Sequence, residues 1–322
     1  MGETGLVETG LPDGMGQRIA IVGPTATGKT ALAVEMAKQI GAEIVSGDSM
    51  CVYRTMDIGT AKPSETERRA VPHHLIDVAD PDEEFSLAAF AQLARAAIAD
   101  IEARGKRVIL AGGTGLYVDT IISELTLPGQ FPDVKATLET EDDTAGLHAR
   151  LVELDPTAAS RMEPTNRRRI VRALEVTLGS GRPFSSFGPG LEAAQQAASG
   201  WTIVGLDSDR AELAIRIARR YEQQMDNGFF DEVRVLHENY GDRLSRTAAQ
   251  ALGYRQLLAH LAGECSLEEA ITEAQRATVA FAKRQQRWFR RNASIEWRTV
   301  ENAPRNPTDF AIGRPHNAIP SL

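Results

Sequence analysis

The chain has 322 residues, with 36 basic against 44 acidic side chains and a formal net charge of −8. Its 42 % hydrophobic, 25 % charged and 6 % aromatic content suits a globular protein and excludes a collagen-like, wholly disordered or disulfide-scaffold chain. Cys51 and Cys265 are too few for a disulfide framework or a cysteine zinc site. The negative balance argues against indiscriminate coating of nucleic acid, which runs on summed positive charge.

Residues 1–16 hold no basic side chain, so no secretory signal or transit peptide is expected, and Leu6 breaks the myristoylation pattern that Gly2 would begin. No stretch approaches the roughly 18 apolar residues of a membrane span. A cytoplasmic protein, acting as a monomer, is expected behind a flexible tail. The first predicted strand is the β-branched run at 19–22, followed by a Gly-rich turn and a helical pattern over 29–40. A second strand at 43–46 ends at Gly47, Asp48 and Ser49, residues 74–77 read as another, and 86–104 read as a helix. The run at 108–111 is a fully buried strand stopped by Gly112, Gly113, Thr114 and Gly115. Strands alternating with helices at this spacing predict an α/β fold with a parallel sheet covered on both faces.

From 125 to 200 the strand signal vanishes, and helical stretches with proline and glycine loops predict a helical insertion. The strand signal returns at 201–206. Asp209 with Glu212 predicts a capping-box start to a helix reaching 227–228, and Ser266 with Glu269 opens a final helix running to about 291. The expected organisation is a tail at 1–16, a core of 17–124 and 201–300, an insertion at 125–200, and a poorly ordered Pro-rich tail at 301–322.

Gly23, Pro24, Thr25, Ala26, Thr27, Gly28, Lys29 and Thr30 match GxxxxGK[ST] at every required position, between a strand and a helix. In such a loop backbone N–H groups and the helix N-terminus converge on phosphate oxygens. Lys29 adds a mobile cation, and the Thr30 hydroxyl can ligate Mg²⁺. The alternative is a Gly-rich turn that binds nothing. Asp48 lies on the same carboxyl-end edge of the sheet, where open α/β folds place their ligands. It could hold the metal through water, act as a general base, or cap a turn with Ser49. The glycines around Thr114 would let a ligand approach the backbone, with the Thr114 hydroxyl aimed at it; a plain strand-to-helix turn is the alternative.

Two basic clusters stand out. Residues 161–182 hold six arginines against two glutamates, and residues 276–291 hold six cations and no acid. On a helix Lys283, Arg287 and Arg291 share one face, with Arg284 and Trp288 beside it. These are solvated faces or polyanion sites. Trp288 and Phe289 could stack on a base or belong to the core, the latter being the simpler reading for Phe289. His73 and His74, being adjacent, make a poor metal pair, and no zinc or iron is expected.

Together these motifs resemble the tRNA dimethylallyltransferase (isopentenyltransferase) family. The matching blocks, in the family's order across 17–298, are GPTATGKT at 23–30, SGDSMCVYRTMDIGTAKP at 46–63, PHHLIDVADP at 72–81, AGGTGLY at 111–117, RRRIVRALEV at 167–176, ALGYRQL at 251–257 and AKRQQRWFRR at 282–291. The resemblance implies a P-loop NTPase-like parallel sheet with an inserted, mainly helical tRNA-binding domain. It implies transfer of a dimethylallyl group from dimethylallyl diphosphate to N6 of adenosine 37, beside the tRNA anticodon. On that reading residues 23–30 bind the diphosphate, Thr30 and Asp48 hold Mg²⁺, and Asp48 is the general base. Thr114 positions donor and amine, and Lys29 and Arg255 act on the diphosphate. The implied tRNA contacts are Asp48, Ser49, Met50, Cys51, Thr114 and Lys135, then Arg168, Arg169, Ile170, Val171 and Arg172. Gln250, Ala251, Leu252, Gly253, Tyr254 and Arg255 follow, and Lys283, Arg284, Gln285, Gln286, Arg287, Trp288, Phe289 and Arg290 complete the set.

The chain departs from the family's pattern at Cys51, where Gln is common, at Thr55, where Gly is, and at Lys135, where Arg is. The stretch 139–146 is shorter and more acidic than usual. Two other readings stand beside the first: transfer to free adenine nucleotides, against which the basic clusters argue, and a small-molecule P-loop kinase using Asp48 on a hydroxyl.

Overall fold

The computed structural model describes residues 17–125, 127–187 and 200–299. The tails expected at 1–16 and 301–322, and the loop signal at Pro189, lie outside the described residues. The chain divides into two compact units, Met1–Ile122 with Ser199–Leu322, and Ser123–Ala198.

The first unit opens with β1 (Arg18–Val22), α1 (Lys29–Ile40), β2 (Ala42–Ser46), α2 (Glu65–Ala70), β3 (His73–His74), α3 (Leu87–Ala103), β4 (Arg107–Gly112) and α4 (Gly115–Ile122). The second unit holds α5 (Pro132–Glu139), α6 (Thr144–Leu154), α7 (Pro156–Ala159) and α8 (Arg167–Ser180). The first unit resumes with β5 (Trp201–Asp207), α9 (Arg210–Asp226), α10 (Phe229–Tyr240), α11 (Arg246–Ala249), α12 (Tyr254–Leu261), α13 (Leu267–Phe289) and β6 (Glu296–Thr299).

All strand pairs are parallel, in the order β3-β2-β4-β1-β5-β6. In the central strand β1, Ile19, Ala20, Ile21 and Val22 are fully buried, as an unbroken apolar run requires of a strand covered on both faces. The register sets Ile21 beside Ala111 and Val204. The loops after β1, β2, β4 and β5 therefore leave one edge of the sheet together.

Two local expectations are corrected, and one strand went unpredicted. The strand expected at 74–77 is cut to His73–His74, because Leu75 (φ 64) and Asp77 (φ 58) adopt left-handed backbone. Asp209 does cap α9 through the Ala211 and Glu212 N–H groups, but Glu212 pairs with Arg216 at 2.8 Å and does not close a capping box. The last helix ends at Phe289. The edge strand β6 went unpredicted, since its four residues, EWRT, carry no apolar run.

One face of the sheet packs Ile19, Ile21, Ile44, Ile109 and Val204 against Val34 and Met36 of α1. A second core joins Val52, Tyr53 and Met56, from the loop after β2, to Leu213, Ile217, Phe229, Tyr254 and Ala282 of the later helices. Each such side chain contributes about 1.5–3 kcal/mol on full burial. Phe229 and Tyr254 meet edge to face, with ring centroids 4.9 Å apart. The insertion has its own core of Leu138, Leu147, Leu151, Ile170 and Leu174.

Candidate active site

The phosphate loop is shaped by close approach and by left-handed backbone. Gly23 has φ 137, and a Cβ there would lie 2.2 Å from the Leu206 carbonyl oxygen of β5. Ala26 adopts φ 64, a conformation that costs a non-glycine residue energy and persists where the surroundings enforce it. The Thr27 hydroxyl donates to the Pro24 carbonyl at 2.8 Å and the Lys29 ammonium donates to the same oxygen at 2.6 Å. Burial lowers the Lys29 pKa to about 8, against the raising effect of the Asp48 charge, and Arg220 lowers it further. Thr30 is exposed in the first turn of α1, where N–H groups without helical partners favour an anion.

Asp48 is half-buried just past β2. Its Oδ1 accepts the Met50 N–H at 2.8 Å, so it does cap the turn. Oδ2 has no hydrogen-bond partner among the described residues. Thr114 Oγ1 accepts the Ser49 N–H at 3.2 Å and donates to Ser49 Oγ at 3.3 Å, tying the turn after β4 to the turn after β2. Beside it, burial pushes the Tyr117 phenol up to about 12, with Tyr53 and the Asp48 charge adding to the shift. Burial, then Asp48, also pushes the Cys51 thiol well above its usual range, which keeps it a protonated, inert thiol.

The glycines of the turn after β4 allow close protein contacts. A Cβ on Gly113 would lie 2.4 Å from the Gln285 amide, and one on Gly115 would lie 2.2 Å from the Trp288 ring. Trp288 donates from Nε1 to the buried Asp119 Oδ2 at 2.9 Å, and the Arg291 guanidinium covers its ring at 4.4 Å. The indole N–H is thereby used within the fold, and Arg291 lies over the ring.

Arg255 makes no side-chain hydrogen bond to the phosphate loop among the described residues. Arg255 is exposed in the first turn of α12 and lines a groove with Glu264, Glu268 and Glu273. The cation that does reach the loop is Arg220 of α9, which donates to Thr25 Oγ1 at 2.9 Å. No motif pointed to Arg220; the only signal was its place among basic residues of an amphipathic helix.

The implied tRNA contacts divide by exposure. Ile170, Val171, Ala251, Tyr254, Gln285, Gln286 and Phe289 are buried, so their side chains are unavailable for RNA contact and the expectation is corrected for them. Gly253 lies against the Phe229 ring. Arg172 donates to the Pro128 and Gly129 carbonyls and pairs with Glu175, which makes it a brace within the insertion. Arg290 pairs with Asp207 at 2.7 Å, and Lys135 faces Glu139 at 3.8 Å. Arg168, Arg169, Gln250, Lys283, Arg284 and Arg287 are exposed, and Arg168, Arg169, Lys283 and Arg287 have no ion-pair partner among the described residues. No group of three His, Cys, Asp or Glu side chains gathers into a metal site among the described residues, and no helix there is long and apolar enough to cross a membrane.

A family model described as IPP transferase matches residues 51–292. A tRNA dimethylallyltransferase of Streptomyces coelicolor is 48 % identical over 282 residues, 87 % of this chain and 89 % of that one. Its counterpart in Geobacter metallireducens is 48 % identical over 288 residues, 87 % of this chain and 92 % of that one. Among solved structures, the full-length tRNA isopentenylpyrophosphate transferase of Bacillus halodurans is 40 % identical with a TM-score of 0.64, covering 88 % of this chain and 89 % of that one. A eukaryotic dimethylallyltransferase acting on tRNA is 25 % identical with a TM-score of 0.75, over 88 % of this chain and 74 % of that one. With a phosphate loop, an acid and a threonine gathered on one sheet edge, and with this similarity over most of its length, the chain belongs to the IPP transferase family of tRNA dimethylallyltransferases.

Proposed function

We propose that the protein transfers a dimethylallyl group from dimethylallyl diphosphate to N6 of adenosine 37 in the anticodon loop of tRNA, releasing diphosphate. The observation that carries this reading is the gathering of the loop at 23–30, Asp48, Thr114 and Arg220 on one edge. The amine nitrogen bonds to the allylic carbon as the C–O bond breaks, its electron pair leaves on the diphosphate, and the N6 proton passes to Asp48. Negative charge grows on the leaving group, and the loop's N–H groups, Lys29 and Arg220 supply positive potential at that place. Asp48 is both turn cap and base on this reading: Oδ1 holds the Met50 N–H, and Oδ2 is left to take the proton.

The oxygen donors suit Mg²⁺, which takes one or two protein oxygens together with substrate phosphates and water. Thr30 would hold it directly and Asp48 through water, and when bound it would supply charge neutralisation on the diphosphate. The exposed arginines Arg168, Arg169 and Arg287 would meet tRNA phosphates, and extruding the adenine from a loop costs less than from a duplex. A cytoplasmic location is part of this reading.

The test supplies labelled dimethylallyl diphosphate with unmodified tRNA, with free adenine nucleotides, and separately labelled ATP with hydroxyl acceptors. Label in tRNA alone is the expected result. Label in free nucleotide, or phosphate transfer from ATP, would replace this reading with one of its two rivals.

A further inference from the structure

Gln285 lies in the basic last helix, within the block whose family resemblance implies contact with tRNA, yet its side chain is buried and faces away from that role. Its Oε1 accepts the Thr25 N–H at 2.8 Å and its Nε2 donates to the Gly113 carbonyl at 2.8 Å. One amide thus bridges the phosphate loop to the turn that carries Thr114, across 260 and 172 residues of sequence. An amide is suited to this because it offers an acceptor and a donor together; a carboxylate lacks the donor and a thioether lacks both strong groups. The space is built for it, since any side chain at Gly113 would collide with Nε2.

Its neighbours on α13 repeat the arrangement. Gln286 donates to Asp207 Oδ1 at 2.6 Å, at the end of β5, and Trp288 donates to Asp119 on α4. Thr25 is held twice, its N–H by Gln285 and its hydroxyl by Arg220. Thr25 lies between Pro24, which is buried, and Ala26, so the way in which it is held bears on the aim of the loop's N–H groups.

We propose that Gln285 is a positioning residue for the diphosphate donor, setting the phosphate loop against the Thr114 turn, and not a contact to tRNA. The inference rests on the reading of residues 23–30 as the diphosphate site. Gln285→Met keeps the length of the side chain and removes both hydrogen bonds. Gln285→Glu keeps the acceptor and loses the donor.

Binding of dimethylallyl diphosphate, of inorganic diphosphate and of unmodified tRNA over a series of salt concentrations is measured on full-length protein, together with the thermal midpoint. Both variants should weaken binding of the two diphosphate ligands by about tenfold, as loss of one or two buried hydrogen bonds implies. Affinity for tRNA and its salt dependence should stay within about twofold, since no phosphate contact is removed. Weakened tRNA binding with intact donor binding overturns the proposal in favour of an RNA contact. Unchanged donor binding overturns it outright. Variants that fail to fold, or that lose both affinities in step with the thermal midpoint, overturn it by showing a purely structural strut. Wild-type protein that binds neither diphosphate ligand would instead overturn the reading of the loop itself.

Discussion

Asp48→Asn separates the chemistry of the site from its architecture. The Met50 N–H that Asp48 Oδ1 accepts at 2.8 Å can be taken by the asparagine oxygen, so the turn should persist. What disappears is a basic oxygen and a negative charge. Loss of a general base lowers turnover by about 10²–10⁴-fold, roughly 3–5.5 kcal/mol of barrier. The charge has a second effect. Burial has already lowered Lys29 to about 8, and Asp48 is the group that raises it. In wild type, donor affinity should therefore fall as pH rises through about 8, when the ammonium loses its charge. In the variant the same fall should begin at lower pH. Single-turnover rates with saturating tRNA and donor at roughly pH 6.5 keep Lys29 charged in both proteins and isolate the base. A rate within about threefold of wild type would refute the assignment of Asp48 as base. Superimposable donor-binding pH profiles would refute the link between Asp48 and Lys29.

Replacing Arg168, Arg169 and Arg287 together by neutral residues should lower the salt slope of tRNA binding by about three units, one for each lost phosphate contact, with donor affinity unchanged; an unaltered slope would return these side chains to a solvated surface. Thr55→Gly should stabilise the fold by up to about 1 kcal/mol and so raise the thermal midpoint, because a β-branched residue is held at φ 63 where glycine is not sterically strained; a lowered midpoint would count against strain there. Glu43, 2 % exposed, accepts from Arg104, from Lys106 at 2.9 Å and binds His74 at 2.8 Å, and these partners, Arg104 first, hold its carboxyl far below the usual range. Glu43→Gln should cost about 3 kcal/mol at neutral pH. Its folded pKa being depressed, Glu43's contribution is complete above about pH 4.3 and lost as pH falls further, so denaturant midpoints of the two proteins should converge in acid; a constant gap would refute the ionic origin.

The phosphate loop was legible because its chemistry is local. Eight consecutive residues carry the turn, the amide donors, the cation and the hydroxyl, and the strand and helix beside them announce themselves by their own periodicities. Caps at Asp209 and Ser266 were legible for the same reason, each being a bond between residues two or three apart. The strand at 74–77 failed because an apolar run says nothing of the left-handed backbone that Leu75 and Asp77 adopt once Lys62 and Arg68 hold the Asp77 carboxylate. The roles of Arg220, Gln285 and Trp288 were beyond the sequence altogether. A charged or amide side chain on a helix carries no mark of which face meets the core, and each of these finds its partner across more than 150 residues. Runs such as ALGYRQL and AKRQQRWFRR identify the family, but they mix side chains that brace the site with side chains that face solvent. Only the packed helices, by burying Tyr254, Gln285 and Phe289 and leaving Lys283 and Arg287 in water, decide which is which.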